Sequence, residues 1–474
     1  MAFQTIEYLI FLSITFILYW TLCKKSKNFQ NILIIAASLI FYGWWDWRFL
    51  GLLLLTALSS FYAGLWIERT EGNLRKQKTI FLCAIGLNIG ILFFFKYYNF
   101  FVQAFVDALN LAGLKIGTST LKIILPVGIS FYTFTALSYV IDIFQKKINA
   151  TKDMAAYLAY VTFFPSILSG PISRAQKQLP QYFGKRKFSY DKAVEACKLA
   201  IMGGVMKLCL ADRLGIYVDA VYSNIPQHNG TTLLLTSIFY SIQIYADFAG
   251  YSLMAIASGK LFGIDLQTNF LRPYFAKTVT EFWRRWHISL TTWFRDYIYF
   301  PLGGSRCGKT RWMLNTMIVF LVSGLWHGAN YTFILWGALH GICMVAERLI
   351  YGNRIKSIPV KFSAGNLLWI IITFIIVNFA WIFFRIENLG YVMSVLKKIF
   401  TDIGTPFIDP NTILLAFLAA TIVFIYDFVT EYQVKLHFLS SKHITVRYIA
   451  AALIICYIIG FGVLNGGSFI YFQF

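Results

Sequence analysis

The sequence predicts an all-α protein that crosses a membrane many times. Apolar residues make up 58% of the 474 positions and charged residues 13%, against about 25% charged residues in soluble domains. The mean hydropathy is +0.63. Apolar runs close to the roughly 20 residues that a spanning helix needs recur along the whole chain. The 46 Phe, 28 Tyr and 13 Trp suit a protein with aromatic membrane interfaces.

The strong positive charge fits the same fold class. The formal net charge of +21 would suggest a nucleic-acid partner in a soluble protein. Here the basic residues form short clusters between apolar runs, where cytoplasmic loops face anionic lipid. We therefore expect the lipid bilayer, and no nucleic acid, as a partner. The seven cysteines show no CxxC or metal-ligand spacing, so neither a disulfide framework nor a metal site is predicted.

About 11–12 transmembrane helices are predicted. The candidate segments are 7–22, 30–46, 50–67, 78–98, 122–142, 192–222, 231–262, 312–328, 331–350, 366–386, 411–430 and 447–464. Basic clusters place one set of loops in the cytoplasm. These clusters are 24–27, 69–78, 146–152, 185–187, 284–311 and 354–361. The N-terminus and the loops 99–121, 223–230 and 387–410 are then expected outside.

Two segments differ from ordinary spans. Residues 157–170 are apolar but short and precede Pro171, which predicts a re-entrant element buried in protein. Residues 270–311 are long, polar and aromatic, which is typical of a functional segment rather than a plain loop. No internal repeat or soluble linker interrupts the chain, so we predict a single domain over 1–474.

The segment 281–301 predicts an amphipathic helix with His287 at the edge of its aromatic stripe. The stripe comprises Trp283, Trp286, Leu290, Trp293 and Tyr297. One interpretation is an interfacial helix whose arginines contact lipid phosphates. The other is a wall that binds an anionic donor molecule. The donor-binding residues would be Arg284, Arg285, Arg295, Trp283 and Trp286. The spacing supports both interpretations equally.

His327 ends an apolar run in the stretch SGLWHGAN (323–330). An ionisable residue in such a run is costly unless it is used or paired, and a histidine suits general-base catalysis. Gly324 and Gly328 beside it permit close approach of backbone or substrate. The alternative is a structural role, in which a histidine at the helix end is hydrogen-bonded to a neighbouring carbonyl group. His340 has the same alternative and no glycines around it. His228, His437 and His443 lie in polar loops and are expected to be solvated.

Asp247 places a carboxylate inside a predicted span. An unpaired aspartate there would be costly, so we expect an arginine, a histidine or a hydroxyl group as its partner. A structural role in holding helices together is favoured over catalysis. The same interpretation applies to Asp142 and Asp212 near helix ends.

Several motifs resemble the bacterial branch of the membrane-bound O-acyltransferase family, in particular the membrane subunit of alginate O-acetylation and the related peptidoglycan and cellulose acetylation proteins. The two long motifs are EFWRRWHISLTTWFRDYIYFPLGG (281–304) and SGLWHGANYTFILWGALHG (323–341). The shorter ones are ILPVGISFYTF (124–134), FFPSILSGPISR (163–174), YADFAGYS (245–252), RPY (272–274) and GGSFIYFQF (466–474).

The resemblance implies a multi-helix fold around a central funnel or tunnel, in a bacterial cytoplasmic membrane. It implies that His327 is the catalytic residue and that His287 assists near the donor side. It implies no bound cofactor and cytosolic acetyl-coenzyme A as the donor substrate. The acetyl group would pass outward to a polysaccharide acceptor, with an extracytoplasmic acetyltransferase as partner protein.

Two other functions are compatible with the sequence. D-alanyl transfer to teichoic acid is the second enzyme hypothesis, although the GGSFIYFQF ending favours the acetylating branch. A transporter of a lipid-linked or small substrate, without chemistry, also fits polar residues in spans and a re-entrant element. Transporters often show two matching halves with broken helices, and the sequence shows no such symmetry.

Overall fold

The computed structural model describes residues 1–114, 117, 120–352, 363–434, 438–464, 466 and 469–470. Within these residues every regular element is helical, so the prediction of an all-α fold is confirmed. His437, the basic cluster 354–361 and most of the C-terminal motif lie outside the described residues. The chain divides into two compact units. The prediction of one domain over 1–474 stays a prediction.

The first unit comprises residue 1, residues 6–193 and residues 258–267. Its helices are α1 (Ile6–Thr21), α2 (Lys27–Asp46), α3 (Leu50–Arg69), α4 (Leu74–Leu111), α5 (Ile129–Phe144), α6 (Met154–Val161), α7 (Phe164–Ile167) and α8 (Ala175–Gln178). Helix α5 packs against both α3 and α4.

The second unit comprises residues 2–5, 194–257 and 268–474. Its helices, two of which begin or end in the first unit, are α9 (Tyr190–Gly204), α10 (Asp212–Tyr222), α11 (Gly230–Leu261), α12 (Val279–Arg285), α13 (Ile288–Phe294), α14 (Lys309–His327), α15 (Tyr331–Tyr351), α16 (Ala364–Arg385), α17 (Leu389–Thr401), α18 (Pro410–Glu431) and α19 (Ile444–Phe461). Short π-helical stretches, Val205–Ala211 and Arg295–Tyr299, follow α9 and α13.

Among the described residues, seven helical stretches are long and apolar enough to cross a membrane. They are Lys27–Arg69, which joins α2 and α3, together with α4, α11, α15, α16, α18 and α19. Helices α1 and α5 are apolar but shorter. The exposed surface of α19 carries large apolar side chains such as Ile449, Leu453 and Ile459, as expected for a helix that faces lipid. The chain is a multi-pass membrane protein.

The predicted span 122–142 is wrong at its start, because α5 begins only at Ile129. Pro126 precedes it, and Gly128 has a φ of 77°. A Cβ atom at Gly128 would overlap the carbonyl oxygen of Ile167, so this close approach requires glycine. The facing segment from α6 to α7 is short and buried, including Tyr157 and Phe164, as the sequence predicts for a buried element.

The single amphipathic helix predicted over 281–301 is also wrong. His287 has a φ of 41° in the left-handed region, and the chain divides there into α12 and α13. The aromatic stripe is not an interfacial face either, because Trp283, Trp286 and Trp293 are buried. Because of this break, α12 and α13 are separate short helices, and each places side chains in the protein interior.

Candidate functional site

His327 is the last residue of α14 and is only 3% exposed. Its ring lies between aromatic side chains. The ring centroids of Trp326, Trp336 and Phe384 are 4.8, 5.0 and 5.0 Å away. The sequence therefore correctly predicted a histidine that ends an apolar helix and is buried. Its catalytic role stays a prediction.

Glycines hold α14 against α15 at this point. A Cβ atom at Gly324 would overlap the carbonyl oxygen of Phe333, and one at Gly328 would overlap the Phe333 ring. Gly337 on α15 makes the reciprocal approach to the carbonyl oxygen of Phe320. Small residues of this kind let membrane helices approach closely. The glycines beside His327 thus allow α15 to pack closely against α14. This contact places Trp336 of α15 against the His327 ring.

His287 is fully buried at the start of α13. Its Nδ1 lies 3.1 Å from Oδ1 of Asn269. The same Oδ1 accepts hydrogen bonds from the backbone N–H of Ser289 at 3.2 Å and from its hydroxyl at 2.9 Å. The Phe248 ring is edge-on to His287 at 4.6 Å. His287 therefore sits in a mostly apolar environment with a polar anchor at Nδ1.

Trp326 connects the two motif histidines. Its ring centroid lies 6.0 Å from that of His287 and 4.8 Å from that of His327. The structure thus brings together the two histidines that the sequence singled out, although 40 positions separate them in the chain. One indole ring in contact with both can fix their relative position.

A cavity of about 390 Å³ is lined by residues of α12 to α15. Along α14 its wall runs through Trp312, Thr316, Phe320 and Ser323, which share one helix face and span about 16 Å at 1.5 Å per residue. Ser323 lies one helical turn before His327. The cavity therefore leads from the start of α14 to the level just below the buried histidine.

Three arginines line this cavity, namely Arg284, Arg295 and Arg348. Arg348 stacks on the Trp312 ring with its guanidinium carbon 4.3 Å from the centroid. Arg295 pairs with Asp296 at 2.8 Å and is half-exposed. Arg284 is exposed and has no ion pair with the residues that the structure describes. An anionic molecule in the cavity would meet a net positive wall.

Arg285 was predicted as a donor-binding residue, but it does not line the cavity. It pairs with Glu281 at 2.6 Å and with Glu431 at 2.9 Å, and Arg272 pairs with the same Glu431 at 2.7 Å. Burial disfavours the charged guanidinium, but the two carboxylates outweigh it and raise the pKa of Arg285. Arg285 therefore joins α12 to the end of α18, which is a structural task.

Of the two predicted donor-binding tryptophans, one lines the cavity and the other packs in the interior. Trp283 lines the cavity, and its Nε1–H donates to Nδ1 of His340 at 3.2 Å. Trp286 is fully buried and stacks on Phe282 at 5.4 Å, away from the cavity. His340 itself is 1% exposed and lies 5.1 Å from the Trp336 ring. His340, which the sequence did not favour as a functional residue, thus holds the Trp283 side chain that lines the cavity.

Asp247 is paired, but not with the predicted arginine, histidine or hydroxyl group. Its Oδ1 lies 2.7 Å from Nζ of Lys207, and Lys207 also pairs with Asp212 at 2.8 Å. The Lys207 side chain is fully buried. The second oxygen of Asp247 accepts from the backbone N–H of Ile470 at 2.8 Å. This buried ion cluster joins the π-helical stretch, α11 and the C-terminal segment.

Sequence reasoning missed Asn269, Lys207, Arg348 and Glu347. Glu347 on α15 accepts from the backbone N–H groups of Val279 and Thr280 and so caps α12. Lys207 could have been found as the one lysine in the apolar stretch VMKLCLA. Asn269 carries no such signal, because asparagine is common in polar connections.

Comparison with known proteins identifies the family of this chain. The sequence matches the membrane-bound O-acyltransferase family over residues 39–393. It is 36% identical over 381 residues to the probable alginate O-acetylase AlgI of Pseudomonas putida, covering 80% of this chain and 76% of that protein. It is 34% identical over 415 residues to the peptidoglycan O-acetyltransferase of Helicobacter pylori, covering 82% and 77%.

A more distant similarity is to the teichoic acid D-alanyltransferase of Bacillus subtilis, with 27% identity over 271 residues, 54% of this chain and 68% of that protein. The family match includes both histidine motifs and all of the residues that line the cavity. The chain is thus an acyltransferase, and it belongs to the membrane-bound O-acyltransferase family.

Proposed function

We propose that the protein takes an acetyl group from a cytosolic thioester and transfers it to a hydroxyl group on the outer side of the membrane, with His327 as general base. The observation that carries the proposal is the cavity wall on α14, which runs from the basic residues to Ser323, one turn before His327. A donor held by its anionic end at the arginines would extend its acyl end toward the histidine.

The proposed chemistry needs one proton acceptor and one leaving thiolate. The acceptor hydroxyl attacks the thioester carbonyl carbon while His327 takes the hydroxyl proton. The resulting tetrahedral intermediate collapses, the carbon–sulfur bond breaks, and the new ester is released. The thiolate then receives the proton from the imidazolium group, which returns His327 to its starting state. His287, one indole ring away, is the proposed assisting group.

Acetyl-coenzyme A is the donor that the cavity chemistry favours. The volume of about 390 Å³ lies within the range of small-molecule pockets. Arginine recognises phosphate through paired N–H groups, and Arg284, Arg295 and Arg348 would face the phosphates of such a donor. The apolar part of the wall, with Trp312, Phe320 and Trp283, would contact the pantetheine arm.

We place the acceptor among extracytoplasmic polysaccharides and the protein in a bacterial cytoplasmic membrane. The support is the naming of its relatives as alginate and peptidoglycan O-acetylating proteins. A separate extracytoplasmic acetyltransferase would complete delivery to the polymer. D-alanyl transfer is less favoured, because the D-alanyltransferase match covers only about half of this chain at lower identity. Membership of an acyltransferase family argues against a transporter without chemistry.

Purified protein in nanodiscs, supplied with radiolabelled acetyl-coenzyme A, tests the proposal. Replacing Arg284, Arg295 or Arg348 by Gln removes one interaction with a donor phosphate. Its strength is expected to be about 1–2 kcal/mol, which is more than an exposed ion pair contributes and comparable to a hydrogen bond to a charged group. The KM for the donor then rises about 5- to 30-fold. Arg311→Gln, an exposed arginine outside the cavity wall, is the matched control.

Donor truncation provides the second arm. Acetyl-pantetheine lacks the nucleotide phosphates, so the arginine variants are expected to use it as well as the wild type does. If the protein uses a D-alanyl carrier-protein thioester in preference to acetyl-coenzyme A, the acetyl donor is wrong and D-alanyl transfer is the function. Absence of turnover with every thioester would contradict the proposed reaction.

A further inference from the structure

We infer that Asn269 is a positioning residue that fixes the His287 ring in the tautomer with its proton on Nδ1, so that Nε2 carries the lone pair and can accept a hydrogen bond. The inference deepens the proposed acyl transfer and rests on it for its activity readout. It does not rest on it for the state of the ring. Buried groups of the loop before α12 and of the start of α13 form the set of hydrogen bonds from which this follows.

The orientation of the Asn269 amide follows from its partners. The hydrogen-bond network determines which side of the amide is the oxygen, because the oxygen only accepts and the nitrogen only donates. The backbone N–H of Ser289 can only donate, and it points to Oδ1 at 3.2 Å. The Ser289 hydroxyl lies 2.9 Å from the same atom, while Nδ2 donates to the Ser252 hydroxyl at 3.3 Å. Oδ1 is therefore the oxygen.

The proton of His287 follows from this oxygen. An amide oxygen only accepts, so Nδ1 of His287 at 3.1 Å must be the donor. Burial lowers the pKa of His287 to about 3, so the ring is neutral at physiological pH. A neutral imidazole has one N–H and one lone pair. With Nδ1 protonated, the lone pair is on Nε2.

The backbone of Asn269 strengthens the same contact. Its carbonyl oxygen accepts from the N–H of Ile288 at 2.9 Å, directly after the left-handed His287. Asn269 thus holds the turn through its main chain and the ring through its side chain. Replacing the amide by an apolar group would leave three buried donors without this acceptor, namely the Nδ1–H of His287 and both donors of Ser289.

Nitrogen-15 NMR of histidine-labelled protein in nanodiscs tests the tautomer directly. The chain has six histidines, and the His287→Asn variant identifies the His287 signals by their loss. We expect a protonated Nδ1 and an unprotonated Nε2 in the wild type. In Asn269→Leu the Nε2–H tautomer is expected to become populated. In Asn269→Asp the ring is expected to keep its Nδ1 proton and to titrate at higher pH, because the carboxylate stabilises the imidazolium.

Asn378 offers a matched control. It is also a buried asparagine between two serine hydroxyls, with Ser241 at 2.6 Å and Ser237 at 3.1 Å. Asn378→Leu is expected to leave the His287 signals unchanged. An Nε2–H tautomer in the wild type, or identical His287 signals in Asn269→Leu, would overturn the inference. If Asn269→Leu fails to fold, the wild-type tautomer and the Asn269→Asp titration decide.

Acyl transfer by the same variants separates positioning from general structure. We expect at least about a tenfold loss of kcat in Asn269→Leu, by analogy with residues that orient metal-ligating histidines, and substantial rescue in Asn269→Asp. The acidic limb of the Asn269→Asp pH profile is expected at higher pH than in the wild type. If the wild type shows the predicted tautomer but transfers no acyl group from any donor, the proposed function is refuted and the positioning of the ring is not. Normal transfer by Asn269→Leu would refute the positioning role alone.

Discussion

Replacing Lys207 by methionine tests the buried ion cluster in the second unit. Lys207 is fully buried and its Nζ lies 2.8 Å from Asp212 and 2.7 Å from Asp247. Removing one partner of a buried ion pair costs about 3–5 kcal/mol, because the remaining charge is left without compensation. Here one lysine serves two carboxylates, so we expect the upper part of this range. At about 2 cal/mol/K of unfolding entropy per residue, the expected fall in Tm is about 4–9 °C.

The assay is thermal unfolding in detergent, followed by intrinsic fluorescence, with acyl transfer measured on the same preparations. Lys198→Met removes a lysine at the surface, beside Ser440, and is expected to change stability by less than about 0.5 kcal/mol. The triple variant Lys207→Met, Asp212→Asn, Asp247→Asn removes all three charges and is expected to recover most of the loss. A Tm of Lys207→Met within 2 °C of the wild type, on the order of 1 kcal/mol, would refute the reasoning.

Two further predictions concern helix packing and pH. Gly324→Ala places a Cβ atom against the Phe333 carbonyl oxygen and is expected to cost about 1–3 kcal/mol and to lower acyl transfer. Gly460→Ala on α19, where nothing lies within 4 Å, is the control and is expected to change stability by less than about 1 kcal/mol. Equal Tm values for the two variants would contradict this packing. Asp153 caps α6 and pairs with Lys27 at 2.8 Å. Burial raises its pKa, but the Lys27 ammonium and the N–H groups of α6 outweigh burial and lower it. Its charge therefore stabilises the fold above the unfolded-state pKa and ceases to do so as pH falls through the lower folded-state pKa. The Tm difference between wild type and Asp153→Asn is expected to shrink over that acidic range, and a constant difference would contradict it.

The apolar periodicity of the chain predicted most of the architecture. Helices α11 and α15 lie close to the predicted spans 231–262 and 331–350. Helix α4 covers the predicted span 78–98 but continues to Leu111, into the segment that was predicted as a loop. The start of α5 was misplaced because Gly128 adopts a left-handed conformation at a contact with Ile167, which lies far along the chain. Such a tertiary contact has no local signal.

The candidate site was predicted unevenly for a similar reason. His327 could be found because an ionisable group in an apolar run is unusual. The break at His287 could not, because the aromatic stripe continues across it with helical spacing and only the bonds from Asn269 show the left-handed turn. Arg284 and Arg285 are adjacent and chemically identical. Their separation into a cavity residue and an ion-pair residue depends on Glu431, which is 146 positions away.

The most direct test of the proposed mechanism is a single turnover with radiolabelled acetyl-coenzyme A and a soluble hydroxyl acceptor, comparing wild type with His327→Ala. His443→Ala, an exposed histidine at the start of α19, is the control. Loss of a general base lowers the rate about 10²- to 10⁴-fold, so we predict such a loss in His327→Ala, with normal expression and Tm, and none in His443→Ala. Acetyl transfer by folded His327→Ala at the wild-type rate would contradict the assignment of His327 as the base.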